Sequence, residues 1–155
     1  MTINGIPLHP LLVHGAVVFV PLTAVLTVLL FVKRIRPAMT QAAAVSGILA
    51  LAFTVIAKET GEQLLEAMGK TLTLERHAEL ADALVPLSLS AAVLLAGLAL
   101  LTLRRPAFAA RWAQVLSTRT WVLPTVRGVA LAAAVAALVQ VVLVGDTGAQ
   151  AVWLE

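Results

Sequence analysis

The chain has 155 residues, 61% hydrophobic and 12% charged, with a formal net charge of +3. A water-soluble domain carries charge on about a quarter of its residues, and half that amount cannot cover a solvent-facing surface, so lipid must solvate much of this chain. The absence of cysteine excludes disulfides, zinc–thiolate sites, iron–sulfur clusters and covalently attached c-type haem.

The first apolar run covers 11–32, and about 20 apolar residues suffice to cross the hydrocarbon core. No Lys or Arg precedes it, so it reads as a retained helix and not as a signal peptide. Pro10 suits its first position, where a missing N–H costs nothing. Lys33, Arg34 and Arg36 follow, then Pro37 as a breaker.

The second helix is expected over 38–68. Its apolar part ends near Ala57, and Glu59, Glu62 and Glu66 then recur on one helical face. That pattern predicts a projection beyond the bilayer, ended by Gly69. Thr73 is the expected N-cap of a third helix over 74–103. Its first turns carry Glu75, Arg76, His77, Glu79 and Asp82 before the apolar run begins.

Arg104, Arg105 and Pro106 open an amphipathic stretch with Phe108, Arg111, Trp112, Arg119 and Trp121. Trp112 and Trp121 fit the aromatic belt at headgroup level. The fourth helix is expected over 121–144, followed by a Gly-rich tail from Gly145. Pro21, inside the first helix, has no evident counterpart.

The loops after the first and third helices hold seven Lys/Arg and no acid, whereas the connector between the second and third holds three Lys/Arg and six acids. The positive-inside rule makes the two basic loops cytoplasmic and puts the connector and both termini outside. This is membrane topology and does not point to nucleic acid. The expected fold is one all-α domain over 1–155: an integral membrane four-helix bundle, up-down-up-down, with a partly helical outer connector. Ala and Gly are frequent in the last three runs, which favours close helix approach in lipid. A loose two-fold pattern of helix, basic loop, helix is also visible.

All three histidines fall at the outer end. The first and third helices are diagonal in such a bundle and start level, so His14 and His77 can face each other across its centre. Two imidazoles from opposite helices are the ligand set of a b-type haem. Gly15, Ala16, Gly61, Gly145 and Gly148 would leave room for the macrocycle, and Arg76, Lys58 or Lys70 could meet its propionates. His9 lies five residues from His14, about 140° around the helix, and is expected to brace the start of the first helix.

A second constellation overlaps the first. His14, Glu62, His77, Asp82 and Asp146 form a mixed His/carboxylate set suited to zinc, iron or manganese. The third expectation is a cofactor-free accessory subunit packed in a larger membrane complex or with its own copies. No Gly-x-Ser-x-Gly, Gly-rich phosphate loop or His-Glu-x-x-His occurs, so an autonomous enzyme is not expected.

The opening segment, Gly5–Ile6–Pro7–Leu8–His9–Pro10–Leu11–Leu12–Val13–His14, resembles the start of a bacterial membrane family known as domain of unknown function 2231. That family's pattern begins His-Pro-x-x-Val-His and continues with a Thr-Gly after helix two, here Thr60–Gly61. A histidine then starts helix three, here His77, and a Gly-rich segment follows helix four, here Gly145–Asp146–Thr147–Gly148–Ala149. An aromatic and a proline usually follow the second histidine closely; here Gly15 and Ala16 stand there, with Phe19 and Pro21 later. The resemblance implies a four-helix domain in the bacterial inner membrane. Members resembling modules joined to Rieske or cytochrome domains imply redox work with a redox partner.

Overall fold

The computed structural model describes residues 2–3, 6–68, 71–103, 111, 114–115 and 119–153. Four long helices account for most of them: α1 (Leu8–Leu29), α2 (Arg36–Met68), α3 (Leu72–Leu103) and α4 (Val122–Trp153). A two-residue antiparallel pair, Thr2–Ile3 with Ile6–Pro7, leads into α1. All four helices are long and apolar enough to cross a membrane, with mean hydropathies of 1.8 to 2.4. The chain is an all-α four-helix membrane bundle. Gly69, Lys70, Arg104, Arg105, Pro106, Phe108 and Trp112, to which the sequence assigned roles, lie outside the described residues.

The pattern of burial is that of a protein in lipid. The core is built mainly from alanines, among them Ala16, Ala24, Ala43, Ala50, Ala91, Ala130, Ala134 and Ala137. The large aliphatics point outward instead: Val17, Val18, Val25, Ile48, Val93 and Val142 are exposed. In hydrocarbon nothing drives large apolar groups inward, and small residues win the interfaces because they let backbones approach.

Neighbouring helices pack in ring order. α1 lies most closely on α2, α3 on α4 and α2 on α3, while α1 and α4 close the ring more loosely. α1 and α3 are therefore diagonal. Hydrogen bonds pin the pairs where the core is polar. Thr23 Oγ1 and Ser46 Oγ, 2.9 Å apart, join α1 to α2. Gln41 Nε2 donates to the Ala99 carbonyl and to Thr102, joining α2 to α3. Gln140 Nε2 donates to the Leu80 carbonyl at 2.7 Å, joining α4 to α3.

Helix ends differ from expectation in instructive ways. α1 starts at Leu8 and stops at Leu29, so it is shifted toward the N-terminus relative to the apolar run. Tight turns at Leu30, Phe31 and Val32 follow, and Arg36 Nε donates to the Leu30 carbonyl at 2.7 Å. The first basic loop thus satisfies the carbonyls that a helix end leaves over. The N-cap of α3 is Thr71, whose Oγ1 accepts from the Leu74 N–H at 3.3 Å, in place of the expected Thr73. α4 continues through Gly145 and Gly148 to Trp153, well past 144. Glycine is a poor helix former, and packing at Gly148 overrides it. Pro86 lies inside α3 as Pro21 lies inside α1, at a different depth along the helix.

Length decides where the polar end stands. A 32-residue helix such as α3 rises about 48 Å, against about 30 Å of hydrocarbon. α1, with 22 residues, rises about 33 Å and barely crosses. The surplus of α2, α3 and α4 therefore forms a polar extension at the end where α1 begins and α4 stops.

Candidate functional site: a histidine pair on two matching seats

That end of the bundle holds a pair of histidines, and the pair is His9 with His77. Their ring centroids are 6.4 Å apart and the ring planes are nearly perpendicular, at 89°. His9 comes from the first turn of α1 and His77 from the second turn of α3, so the pair closes the diagonal of the bundle.

Each ring sits in a seat made by the neighbouring helix. His9 Nδ1 lies 2.8 Å from the Ala57 carbonyl of α2. His77 Nδ1 lies 3.0 Å from the Val144 carbonyl of α4. A carbonyl only accepts, so each Nδ1 carries the proton and donates it. The lone pair of each neutral ring is then left on Nε2.

Four residues beyond each accepting carbonyl stands a glycine that makes room for the ring. A Cβ on Gly61 would stand 2.9 Å from His9 Cε1, and one on Gly148 would stand 3.0 Å from His77 Cε1. Between carbonyl and glycine stands a threonine. Thr60 Oγ1 donates back to the carbonyls of Ile56 and Ala57. Thr147 Oγ1 does the same to Leu143 and Val144 and also accepts from His77 Nδ1, at 3.2 Å. The two seats are one motif used twice: carbonyl, then threonine at +3, then glycine at +4.

The register between the halves is maintained down the bundle. Seven, eleven, fourteen and eighteen residues after His9 stand Ala16, Val20, Thr23 and Thr27, all buried. The same steps after His77 reach Leu84, Ser88, Ala91 and Leu95, also buried. The loose two-fold pattern of the sequence is thus a structural repeat of helical hairpins.

The expected facing of His14 and His77 is not what the structure contains. His14 is exposed, and its Nδ1 donates to the Pro10 carbonyl of its own helix. The phase of α1 turns His9 inward, and His14, about 140° away, must then turn out. The space expected for a macrocycle is also otherwise used. Gly15 faces the Phe53 ring, Gly61 and Gly148 face the histidines, and Gly145 faces open space. Phe53 stacks on Phe19 with centroids 5.5 Å apart, which fixes the rotation of α1 against α2.

The carboxylates meet a cation of the chain's own. Lys58 Nζ lies 2.6 Å from Glu62 and 3.3 Å from Asp82, bridging α2 to α3. Asp146 accepts from Gln150 Nε2 at 2.9 Å, one turn on in α4. Arg76 is exposed beside His77. Among the described residues no three His, Asp or Glu side chains are grouped to hold a metal ion. The set His14, Glu62, His77, Asp82 and Asp146 therefore does not converge: His14 points away, and the acids have Lys58 and Gln150 as partners.

Sequence reasoning placed His77 at this site but missed His9, Thr147 and the seats as such. The signal was present in two segments. Glu59–Thr60–Gly61–Glu62–Gln63 and Asp146–Thr147–Gly148–Ala149–Gln150 share an acid, Thr-Gly and a glutamine at the same spacing.

Fold and site together define a class: a small helical-hairpin repeat in the membrane, with two backbone-anchored histidines at one end of its axis. The chain belongs to the family described as predicted membrane protein, domain of unknown function 2231, which it matches over residues 5–155. No curated protein and no solved structure matches it.

Proposed function

We propose that this protein is a membrane subunit that holds a transition metal between His9 and His77, either as b-type haem used for electron transfer or as a bare ion. One observation carries this reading. Both rings donate Nδ1–H to a backbone carbonyl, the arrangement that orients a ligating histidine and raises the basicity of its other nitrogen. The two rings are near neighbours, with centroids 6.4 Å apart, and each would offer its Nε2 to a metal. Arg76 is free to meet a propionate at the polar end. Bound there, haem would supply a reversible one-electron couple; the chain supplies the ligands and their orientation.

A bare zinc, iron or manganese ion is the second reading. It is favoured by the way the imidazoles themselves occupy the space over Gly61 and Gly148. Two imidazoles would then be completed by water or by a partner's ligand.

The orientation follows from charge. Lys33, Arg34, Arg36, Arg111 and Arg119 gather at the opposite end, which the positive-inside rule assigns to the cytoplasm. In a bacterial inner membrane the histidine pair then faces outward, near the headgroups. A reporter fused after Glu155 is expected to read as extracytoplasmic; a cytoplasmic signal overturns the orientation.

The test of the cofactor is an absorption spectrum of the protein purified in mild detergent from haem-sufficient cells, before and after dithionite. A Soret band that sharpens on reduction, lost in both His9→Ala and His77→Ala and retained in His14→Ala, is the expected result. A colourless protein with stoichiometric metal by elemental analysis selects the bare ion. A colourless, metal-free protein sinks both readings and leaves an accessory subunit.

A further inference from the structure

We infer that the centre of the bundle, far from the histidine pair, binds one water molecule between Ser88 and Thr23. The site lies about 16 Å along α3 from His77, by the eleven-residue rise to Ser88. It is independent of any cofactor.

Two observations point to it. The first is a void of ≈ 10 Å³ lined by all four helices, through Val20, Thr23, Gly47, Ala50, Ser88, Ala91, Ala134 and Ala137. That is about the space one water needs. The second is Ser88 itself. The residue is 3% exposed, and among the described residues its Oγ is the one buried side-chain polar atom with no hydrogen-bond partner.

The missing bond is not for want of a local acceptor. Other hydroxyls in these helices donate back to the carbonyl four residues earlier: Thr54 to Ala50, Ser90 to Pro86, both at 2.8 Å. Ser88 makes no such bond. An unpartnered buried hydroxyl is costly, so a partner in the adjoining void is strongly favoured. Thr23 supplies the other side. Its hydroxyl hydrogen goes to the Phe19 carbonyl at 2.7 Å, which leaves its oxygen able to accept. The water accepts from Ser88 and donates to Thr23, which already contacts Ser46 on α2. One molecule thus links α3 to the α1–α2 pair, which no direct side-chain hydrogen bond does at this depth among the described residues. No ionised group lines the void, which fits neutral water and not an ion.

The experiment turns on a sign. Ser88→Ala is expected to lower the thermal midpoint of the protein in lipid by a few degrees, because it removes a water ligand. In a dry void the same change deletes an orphaned hydroxyl and raises the midpoint. The direct readout is water-to-protein magnetisation transfer by solid-state NMR in bilayers. Cross-peaks from a buried water to Ser88 and Thr23, lost in Ser88→Val, are expected. A folded wild-type protein without those cross-peaks overturns the inference.

Discussion

The two halves of the bundle hold their histidines by the same backbone device but surround them differently. In the α1–α2 half, His9 is held by one carbonyl, and a lysine two residues before Thr60 is gripped by Glu62 and Asp82. In the α3–α4 half, His77 has both a carbonyl and the Thr147 hydroxyl, and the position matching Lys58 is Gly145, open to space. The shared part is therefore what orients the rings: carbonyl, threonine, glycine. The parts that differ are the extra Thr147 contact to His77 and the exposed charge around Lys58, whose interactions are weak at a surface. The comparison separates features that position the pair from features that decorate one side of it.

The most severe way to break the comparison is to remove the rings. If the halves are equivalent, His9→Ala and His77→Ala each abolish cofactor binding, measured as cofactor per protein after purification; a large inequality would show one half dominating. Filling the seats comes next. Gly61→Val and Gly148→Val drive each ring off its glycine, with an expected loss of about 1–3 kcal/mol in stability, read by thermal unfolding, and most of the bound cofactor. The threonines sharpen the contrast further. Thr147→Val removes a direct partner of His77 and should weaken cofactor affinity about tenfold. Thr60→Val removes only a donor to the carbonyl behind His9 and should do less; equal titration curves would erase the asymmetry. Smallest is Lys58→Ala. It unties α2 from α3 at an exposed site, so the melting temperature should hardly move, and any change should shrink with added salt.

Much of the architecture was legible because hydropathy reports the solvent directly. Four apolar runs, two basic loops and the acidic connector gave the bundle and its ring order. The run of Glu59, Glu62 and Glu66 on one face foretold that α2 continues to Met68. The site was legible in part. His77 was found because the first and third helices of such a bundle are diagonal and start level, which puts its ring at the outer end of the bundle axis. The roughly 140° between His9 and His14 allowed only one of them to face inward, and the structure turns His9, not His14, toward His77. The rotation was written in residue size: Ala16, Thr23, Ala24 and Thr27 share the phase of His9, and Val17, Val18 and Val25 share that of His14. In lipid the small face goes inward.

The end of α4 shows the opposite limit. Gly145 and Gly148 read as a helix terminator by propensity alone, and only contact with the His77 ring shows why the helix runs on. The sequence by itself determined that this chain spans a membrane four times and gathers its histidines at one end, because those properties depend on the sum of many transfer free energies along the chain. Only the tertiary structure decided which two rings meet and that each rests on a glycine of the neighbouring helix. It also left Ser88 alone beside a void. Those depend on the rotation of each helix about its own axis, which packing between helices sets and no single run of residues contains.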